Sequence, residues 1–268
     1  MKVESYSKRC LVAVGRTAPL EEEHLMYGWR ARIGVIVSPP NTVAEVELGR
    51  MAPEGVSVHA TRMYRPREVT GLDQRTLEVT NSSLPQAAGA IAPLKPDVLV
   101  FAHTMGSIVG GPGRDHGLVS MLAEAAGCHA ITTAGAAMAA FGALGLGKLV
   151  IAGPYTEDDL LLMEKDYFEA SMEGLEILGH ESLGITNGWD IGQLEPREFF
   201  RLAKEADRPD AEAVFISGTN GRTIEVLEAL EQDLGKPVLS ANQVTMWAAL
   251  HYLGIGGVKG YGSLFEHQ

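Results

Sequence analysis

Four short polar segments follow apolar runs and precede helical patterns, and each carries groups that could bind a small anion. They are Ser38–Thr42, His103–Ser107, Pro154–Thr156 and Ser217–Gly221. Each includes a threonine where a helix N-cap is expected, namely Thr42, Thr104, Thr156 and Thr219. The first backbone N–H groups of a helix have no intrahelical acceptor and can donate to a carboxylate. Ordinary capping would explain any one threonine, but four equivalent turns predict a shared carboxylate pocket.

Two side chains in these segments could transfer protons or stabilise developing charge. His103 directly follows the apolar run Val98–Ala102. Histidine has an ordinary pKa close to neutrality, so it could act as a proton donor or acceptor. A histidine bonded to a loop carbonyl explains the same position equally well. Tyr155 has the equivalent place in a later segment, where it could donate a neutral O–H to an oxyanion or simply pack at a strand end.

Short apolar runs alternate with longer amphipathic stretches from Arg30 onward, which is typical of βαβ units. The runs predict strands at Arg32–Val37, Val56–Ala60, Val98–Ala102, Ala130–Thr132, Leu149–Ala152, Glu176–Ser182, Ala213–Ile216 and Val238–Ser240, with a further candidate at Gly257–Tyr261. The stretches predict helices near Val43–Met51, Thr70–Leu94, Gly117–Ala126, Gly135–Leu144, Glu157–Glu173, Glu195–Lys204, Arg222–Leu234 and Val244–Leu253. We expect the glycine-rich segment Gly106–Gly113 to be a mobile loop over the cleft.

Two pairs of segments resemble each other about 115 residues apart: ARIGVIVSPPNTVAEVE with KLVIAGPYTEDDLLL, and PDVLVFAHTMGS with AEAVFISGTNGR. Such repetition predicts an α/β protein of two pseudo-symmetric halves. Each half would be a short parallel sheet flanked by helices, with the active site in the cleft between the halves. We expect residues 1–28 to form an N-terminal extension, 29–146 plus 244–268 the first half, and 147–243 the second half.

The composition argues against several classes of partner and site. The formal net charge is −12 and the pI is about 5.1, which argues against nucleic acid or an anionic membrane as the partner. No apolar run reaches the roughly 18 residues of a bilayer span, and the N-terminus makes a poor secretion signal, so a cytoplasmic protein is expected. Two cysteines, Cys10 and Cys128, cannot form a disulfide framework or a CxxC metal site.

The chain resembles the aspartate/glutamate racemase superfamily, in the branch that holds maleate cis–trans isomerase and arylmalonate decarboxylase. The resemblance covers about Arg30 to Phe265 and rests on RIGVIVSPPNTVAEVE, PDVLVFAHTMGS, GKLVIAGPYTEDD, SLGITN, AVFISGTNGRT, LGKPVLSANQVTMWAAL and the terminal GYGSLF. It implies two α/β halves with the active site between them, and no cofactor or metal. It also implies that one set of residues holds substrate carboxylates or stabilises an enediolate: Asn41, Thr104, Tyr155, Asn187, Thr219 and Asn220, with Gly218 beside them.

The chain departs from this family at the two strand ends where the family carries catalytic cysteines. His103 stands at the first position and Gly218 at the second. Glycine has no nucleophile, and imidazole replaces a soft thiolate poorly in addition to an alkene. Racemisation by two thiols and isomerisation through a cysteine adduct are therefore not supported at these positions. Met105 stands where the decarboxylase has a hydroxyl donor.

These residues predict a cofactor-independent enzyme that acts on a small carboxylic or dicarboxylic acid. The reaction would be of decarboxylase or lyase type, through an enediolate that His103 protonates. One alternative is a maleate isomerase-like cis–trans isomerase or racemase in which Cys128 or another group replaces the thiols, although Cys128 precedes its strand. A further alternative is a non-catalytic carboxylate-binding relative. A homo-oligomer is expected, as for many enzymes of this kind.

Overall fold

The computed structural model describes residues 26–156 and 160–267. The predicted extension, residues 1–28, lies outside the described residues except for its last three. Within the described ranges the chain forms two four-stranded parallel sheets with helices around them. No helix in these ranges is long and apolar enough to cross a bilayer.

The first sheet has the strand order β2-β1-β3-β4, and all of its neighbouring strands are parallel. Its strands are β1 (Ala31–Val37), β2 (Val56–Arg62), β3 (Val98–Ala102) and β4 (His129–Thr132). All five residues of β3 are buried. A central parallel strand is covered on both faces, which explains why its sequence is a continuous apolar run.

The second sheet repeats this order as β6-β5-β7-β8, again with every pair parallel. Its strands are β5 (Lys148–Gly153), β6 (Glu176–Ser182), β7 (Ala213–Ile216) and β8 (Val238–Ser240). The two sheets share both strand order and direction. The predicted fold class, α/β with two similar halves, is therefore confirmed.

Eleven α-helices connect and cover the strands within the described ranges. They are α1 (Ala44–Met51), α2 (Gln74–Asn81), α3 (Leu84–Ile91), α4 (Thr104–Ile108), α5 (Asp115–Ala126), α6 (Thr133–Ala143), α7 (Leu162–Ser171), α8 (Gly188–Ile191), α9 (Pro196–Ala206), α10 (Leu227–Leu234) and α11 (Ala241–Tyr252). A capping box of Ser240 and Gln243 starts α11. This helix packs against α1 and α6, which supports the proposed assignment of the C-terminal segment to the first half.

The single helix predicted over Thr70–Leu94 is wrong, because the chain forms α2 and α3 with a break at Ser82 and Ser83. Helix α2 begins only at Gln74, where the Asp73 carboxylate accepts a hydrogen bond from Thr76 N at 2.7 Å. Pro85 stands in the first turn of α3. Proline has no N–H and is tolerated in a first turn but not inside a longer helix.

Two glycine-rich segments also differ from expectation. Gly257–Tyr261 forms no strand. Its residues Gly257 and Gly260 have φ angles of 95° and 86°, in a region that extended strands do not use. The segment Gly106–Gly113 is not a loop throughout, since its first three residues belong to α4, all five residues of which are buried.

Candidate active site

The segments that follow the inner strands of both sheets meet around one cavity of about 40 Å³. These strands are β1, β3, β5 and β7, and their segments contribute Ser38, Pro39, Pro40, His103, Tyr155, Thr219 and Asn220 to the cavity wall. The remaining wall comes from Arg65, Leu72, Thr76, Leu77, Thr80, Gly188 and Ile191. The cavity therefore lies beyond the carboxyl ends of parallel strands, between the two halves, where α/β proteins bind ligands.

His103 is a buried, neutral imidazole at the cavity wall. Its Nδ1 is buried and has no hydrogen-bond partner among the described residues, and a β-carbon on Gly106 would collide with that atom. The ring meets Phe101 edge-on, with 5.8 Å between ring centroids. Burial, and then the positive charge of Arg65, lower the pKa of His103 to about 4. The free protein thus presents an imidazole, not an imidazolium, at neutral pH.

Tyr155 is a buried phenol at the end of β5, 4% exposed. Burial, and then the negative charge of Glu164, raise the pKa of Tyr155 above its ordinary value. The hydroxyls of Ser217 and Thr104 lie near enough to lower it in part, although Thr104 Oγ1 makes no hydrogen bond of good geometry with a described residue. A β-carbon on Gly218 would lie 2.9 Å from the phenol oxygen. Tyr155 therefore remains protonated at neutral pH.

Asn41 and Thr219 join the two halves behind the cavity. Asn41 Nδ2 donates to Thr219 Oγ1 at 3.1 Å, and Thr219 Oγ1 donates to the carbonyl of Ala102 at 2.9 Å. Asn41 Oδ1 accepts from two backbone N–H groups at the start of α1, each at 2.9 Å. Asn41 is not among the lining residues. Its side chain holds the frame of the site rather than facing the cavity.

Asn220 lines the cavity but is also bonded to both halves. Its Oδ1 accepts from Thr42 N at 2.8 Å, and its Nδ2 donates to the Gly188 carbonyl at 2.7 Å. Asn187 is exposed. Its Oδ1 accepts from Trp189 N at 3.1 Å, which caps α8, and Asn187 is not a lining residue. The amide side chains predicted to hold substrate are thus engaged with the protein itself.

The predicted threonine N-caps are wrong where the structure describes them. The residue that bonds the start of α1 is Asn41, not Thr42. The N-cap of α4 is His103, so that Thr104 is its first residue, and Thr219 bonds a strand carbonyl instead of a helix start. Thr156 directly precedes residues 157–159, which the structure does not describe.

Backbone N–H groups after β7 are better candidates for binding an anion. The amides of Gly218, Thr219 and Asn220 donate to no acceptor among the described residues. Gly218 has a φ of 97°, and a positive φ in such a run turns successive N–H groups toward one concave side. Four of the eight predicted site residues line the cavity, namely His103, Tyr155, Thr219 and Asn220, while Thr104 and Gly218 lie against Tyr155.

Sequence reasoning missed Arg65 and Glu164. Arg65 lies on the loop between β2 and α2, lines the cavity and donates to the Gly71 carbonyl at 3.4 Å. Glu164 is fully buried on α7, and its Oε1 accepts from Ser217 Oγ at 2.7 Å. No motif marked either residue, because an arginine in a polar loop and a glutamate in the helix sequence LMEKDYFEAS look like solvent-exposed groups.

A second buried carboxyl, Glu47, forms hydrogen bonds that join the two halves at a place outside the cavity. Its Oε1 accepts from Thr223 N at 2.7 Å and from Ile224 N at 3.3 Å, and its Oε2 accepts from Asn242 Nδ2 at 2.7 Å. Burial raises the pKa of Glu47 to about 7, although these hydrogen bonds lower it. The residue links α1 of the first half to the segment after β7.

Cys128 lies far from the chemistry that the cavity could support. It directly precedes β4 and borders Asp97 and Leu99 at the amino end of β3, whereas the cavity lies at the carboxyl ends. It is half-buried, and burial raises the pKa of its thiol. The structure thus contradicts the idea that Cys128 replaces the family's catalytic thiols.

The protein has two α/β lobes, each built on a parallel sheet, with a buried polar cavity between them. This arrangement is typical of the class of two-lobed α/β proteins whose active site lies between the lobes. The model of the arylmalonate decarboxylase family matches residues 33–265 of this chain, so the chain belongs to that family. Maleate isomerase from Nocardia farcinica is 27% identical over 248 residues, which cover 88% of this chain and 96% of the relative. Arylmalonate decarboxylase from Bordetella bronchiseptica is 28% identical over 176 residues, or 64% and 72% of the two chains.

Solved structures agree with this assignment. The Nocardia farcinica maleate cis–trans isomerase, as a cysteine-to-serine mutant with a covalently bound succinylcysteine intermediate, superposes with a TM-score of 0.82 and 25% identity, covering 89% of this chain and 99% of that one. A liganded double mutant of arylmalonate decarboxylase superposes with a TM-score of 0.80 at 23% identity, covering 89% and 100%. The latter likeness shows the shared fold.

Proposed function

We propose that this protein is a cofactor-independent enzyme that decarboxylates a small malonate-type dicarboxylic acid through an enediolate. The observation that carries the proposal is the meeting of a neutral imidazole, a neutral phenol and a guanidinium at one cavity: His103, Tyr155 and Arg65. Membership of the arylmalonate decarboxylase family supports it. That His103 and Gly218 replace two family cysteines stays a prediction from the resemblance.

We assign one carboxylate of the substrate to the charged part of the cavity wall and the other carboxylate to the apolar part. The Arg65 guanidinium can bind one carboxylate through paired N–H groups. Leu72, Leu77 and Ile191 form an apolar wall, against which the other carboxylate is poorly solvated and its loss as CO₂ is favoured. The small cavity, about 40 Å³, favours a compact aliphatic acid over an aryl-substituted one.

Loss of CO₂ leaves the electron pair of the broken C–C bond in an enediolate. The Tyr155 O–H and the amides of Gly218, Thr219 and Asn220 are the donors available to its oxygens. A donor of this kind, aimed at developing charge, stabilises a transition state by about 3–4 kcal/mol. The reaction then needs one proton at carbon, since a malonate dianion and a proton give a carboxylate monoanion and CO₂.

We assign that proton to His103. In the free protein its pKa of about 4 keeps the ring neutral, through burial and the charge of Arg65. A bound dianion opposes the charge of Arg65 and favours the imidazolium. Substrate binding therefore takes up a proton, which His103 transfers to the enediolate carbon. Because Nδ1 is buried, Nε2 is the nitrogen that serves the cavity.

The low pKa of His103, which keeps its imidazole neutral, also favours a second candidate function. A neutral imidazole can remove a proton from carbon next to a carboxylate, which is the step of a racemase, tautomerase or isomerase without a thiol. The two candidates differ in products, because only the first releases CO₂. A non-catalytic relative would bind small carboxylates without converting them.

Incubation with substituted malonates, maleate and hydroxy acids tests these candidates, with CO₂ release and mass-spectrometric product analysis as readouts. We expect CO₂ from a small malonate, and a kcat about 10²–10⁴-fold lower in His103→Ala. His116→Ala, at an exposed histidine on α5, is the matched control. Conversion without CO₂ would select the second candidate, and tight binding without any conversion would contradict both.

A homo-oligomeric state is a further proposal. A groove of about 480 Å³ runs beside β4 and is lined largely by alanine and aromatic side chains of α6 and α11. Tyr252 at this groove is 51% exposed and stacks on His129. Sedimentation of the full chain tests the proposal, and a cytoplasmic location stays a prediction from the sequence.

A further inference from the structure

Asn242 is a buried side chain at the start of α11 that holds a backbone carbonyl beside the cavity. It is 0% exposed, and its Nδ2 donates to the carbonyl oxygen of Thr219 at 3.1 Å and to Glu47 Oε2 at 2.7 Å. Both partners are acceptors, so the NH₂ group of the Asn242 amide, and not its oxygen, must face them. Asn242 does not line the cavity. Any effect of Asn242 on a ligand must therefore pass through the segment after β7.

Glu47 fixes the same segment at a second place. Its Oε1 accepts from the backbone N–H groups of Thr223 and Ile224, at 2.7 and 3.3 Å. These two amides and the Asn242 side chain are all donors. Burial raises the pKa of Glu47 to about 7, and above that pH the group is a carboxylate that can accept from all of them. Glu47 thus holds both Asn242 and the chain that follows the turn after β7.

The carbonyl that Asn242 binds belongs to the same peptide group as the N–H of Asn220. The described ranges contain no cis peptide bond, and in a planar trans peptide the C=O and N–H groups point in opposite directions. A hydrogen bond that fixes the Thr219 C=O therefore also fixes the direction of the Asn220 N–H. That N–H donates to no acceptor among the described residues. Asn220 lines the cavity, whereas Asn242 does not.

We propose that Glu47 and Asn242 are positioning residues that aim the Asn220 N–H at a carboxylate or enediolate oxygen of the ligand. The Asn242 amide holds the carbonyl side of the peptide group, and the Glu47 carboxylate keeps that amide in the orientation that offers its NH₂ group. The side-chain oxygen of Asn242 is buried with no partner among the described residues, so no hydrogen bond to that oxygen fixes the orientation. This inference rests on the proposed function in one respect, namely that a ligand oxygen accepts from the Asn220 N–H.

Two variants break this arrangement in different ways. In Glu47→Gln the side-chain oxygen can still accept from the two backbone amides, but the new NH₂ group faces the NH₂ group of Asn242. Asn242 relieves this conflict by turning its oxygen toward position 47, which withdraws the donor from the Thr219 carbonyl. Asn242→Ala removes the donor directly and leaves Glu47 in place. Thr245→Val is the control, because Thr245 is buried on the same helix and its hydroxyl lies 3.0 Å from that of Thr133, away from the turn after β7.

The first test needs no ligand and measures the direction of the Asn220 N–H. The sequence contains three Thr–Asn peptides, at 80–81, 186–187 and 219–220, so a correlation between ¹³C-labelled threonine carbonyls and ¹⁵N-labelled asparagine amides contains only these signals. The Asn220 signal is identified by its loss in Asn220→Ser, and the other peptides serve as internal references. We expect the residual dipolar coupling of the Asn220 N–H to change in Glu47→Gln and in Asn242→Ala, and to keep the wild-type value in Thr245→Val. An unchanged coupling in both variants, or an equal change in the control, would overturn the proposal.

The second test uses a substrate and separates positioning from the charge of Glu47. At about pH 8, above the Glu47 pKa of about 7, Glu47→Gln removes a negative charge, which by itself would favour a bound dianion. Loss of positioning acts in the opposite direction. We expect kcat/KM for a malonate to fall about ten- to hundred-fold in Glu47→Gln and in Asn242→Ala, but not in Thr245→Val. A rise in Glu47→Gln, or a fall in that variant alone, would contradict the proposal.

Failure of this inference and failure of the proposed function give different results. If the protein releases no CO₂ and binds no malonate while the Asn220 coupling changes as expected, the proposed function is wrong and the positioning of the peptide group stands. If both variants convert malonate at the wild-type rate, the positioning proposal is wrong and the proposed function stands.

Discussion

The hydroxyl oxygen of Tyr155 lies 2.9 Å from the point that a β-carbon on Gly218 would occupy. The phenol thus fills the space into which a side chain at position 218 would extend. Pro154 narrows the same space, with ring carbons 3.2 and 3.3 Å from that point. Position 218 and the phenol cannot change independently, so the fold couples Tyr155, after β5, to the glycine after the neighbouring strand β7.

Gly218→Ala should lower both stability and activity. The residue has a φ of 97°, which costs a side chain about 1–3 kcal/mol, and the added carbon displaces Tyr155. Gly174→Ala is the control, since Gly174 has a φ of 82° but no atom within 4 Å of its would-be β-carbon. Urea unfolding should show a loss of stability in both variants, larger in Gly218→Ala because its added carbon meets Tyr155 and Pro154. By contrast, kcat/KM should fall only in Gly218→Ala. Equal activity in the two would contradict the coupling.

Tyr155→Phe should lower kcat about 10²–10³-fold, because it removes one donor to the developing oxyanion. KM should change much less, since the hydrogen bond strengthens mainly in the transition state. Tyr167→Phe is a matched change at a buried tyrosine that does not line the cavity, and it should leave kcat close to the wild-type value. Steady-state kinetics with a malonate substrate measures both. A Tyr155→Phe effect confined to KM would argue against enediolate stabilisation.

Malonate binding at neutral pH should take up close to one proton. The free His103 is neutral, with a pKa of about 4, and the bound dianion favours its charged form. Calorimetry in buffers of different ionisation enthalpy gives the number of protons taken up. His103→Asn should abolish the uptake. Uptake that persists in this variant would place the proton on another group.

Arg65→Gln should raise KM for a dicarboxylate about ten- to hundred-fold, since it removes a charged hydrogen-bond donor from the cavity wall. It should also raise the pKa of His103, because the charge of Arg65 helps to hold that pKa down. Arg67→Gln, at an exposed position of the same loop, is the control. Because His103 acts as an acid, the alkaline limb of the kcat/KM profile should move to higher pH only in Arg65→Gln. A limb that stays in place would show that burial alone governs His103.

Stability should fall as the pH rises from about 5 to about 9. Burial raises the pKa of Glu164 to about 8 and that of Glu47 to about 7, against about 4.3 in the unfolded chain. A group whose pKa is higher in the folded protein than in the unfolded chain contributes fully to stability when the pH is below its unfolded pKa. It loses this contribution as the pH rises through its folded pKa. For Glu164 the loss in the free energy of unfolding is on the order of 5 kcal/mol. Urea unfolding of Glu164→Gln should show a correspondingly weaker pH dependence, and an unchanged slope would contradict the neutral carboxyl.

The sequence alone determined the architecture and the location of the candidate site. Strands β3 and β7 are continuous apolar runs. A strand that is buried on both faces needs apolar side chains at successive positions, so its burial can be predicted from the local sequence. Because ligands bind at the carboxyl ends of parallel strands, the same runs marked His103 and Tyr155 as cavity residues. Both line the cavity in the structure.

Only the tertiary structure decided what each polar group does. Asn41 and Thr219 are 178 residues apart in the chain and bond each other across the halves, which engages the Asn41 amide and the Thr219 hydroxyl with the protein itself. Arg65 reaches the cavity from an outer loop, and Glu164 becomes fully buried on a helix whose sequence resembles an exposed one. Local periodicity reports the burial of an element, but pKa values and hydrogen-bond partners depend on contacts between distant elements, which no local pattern encodes.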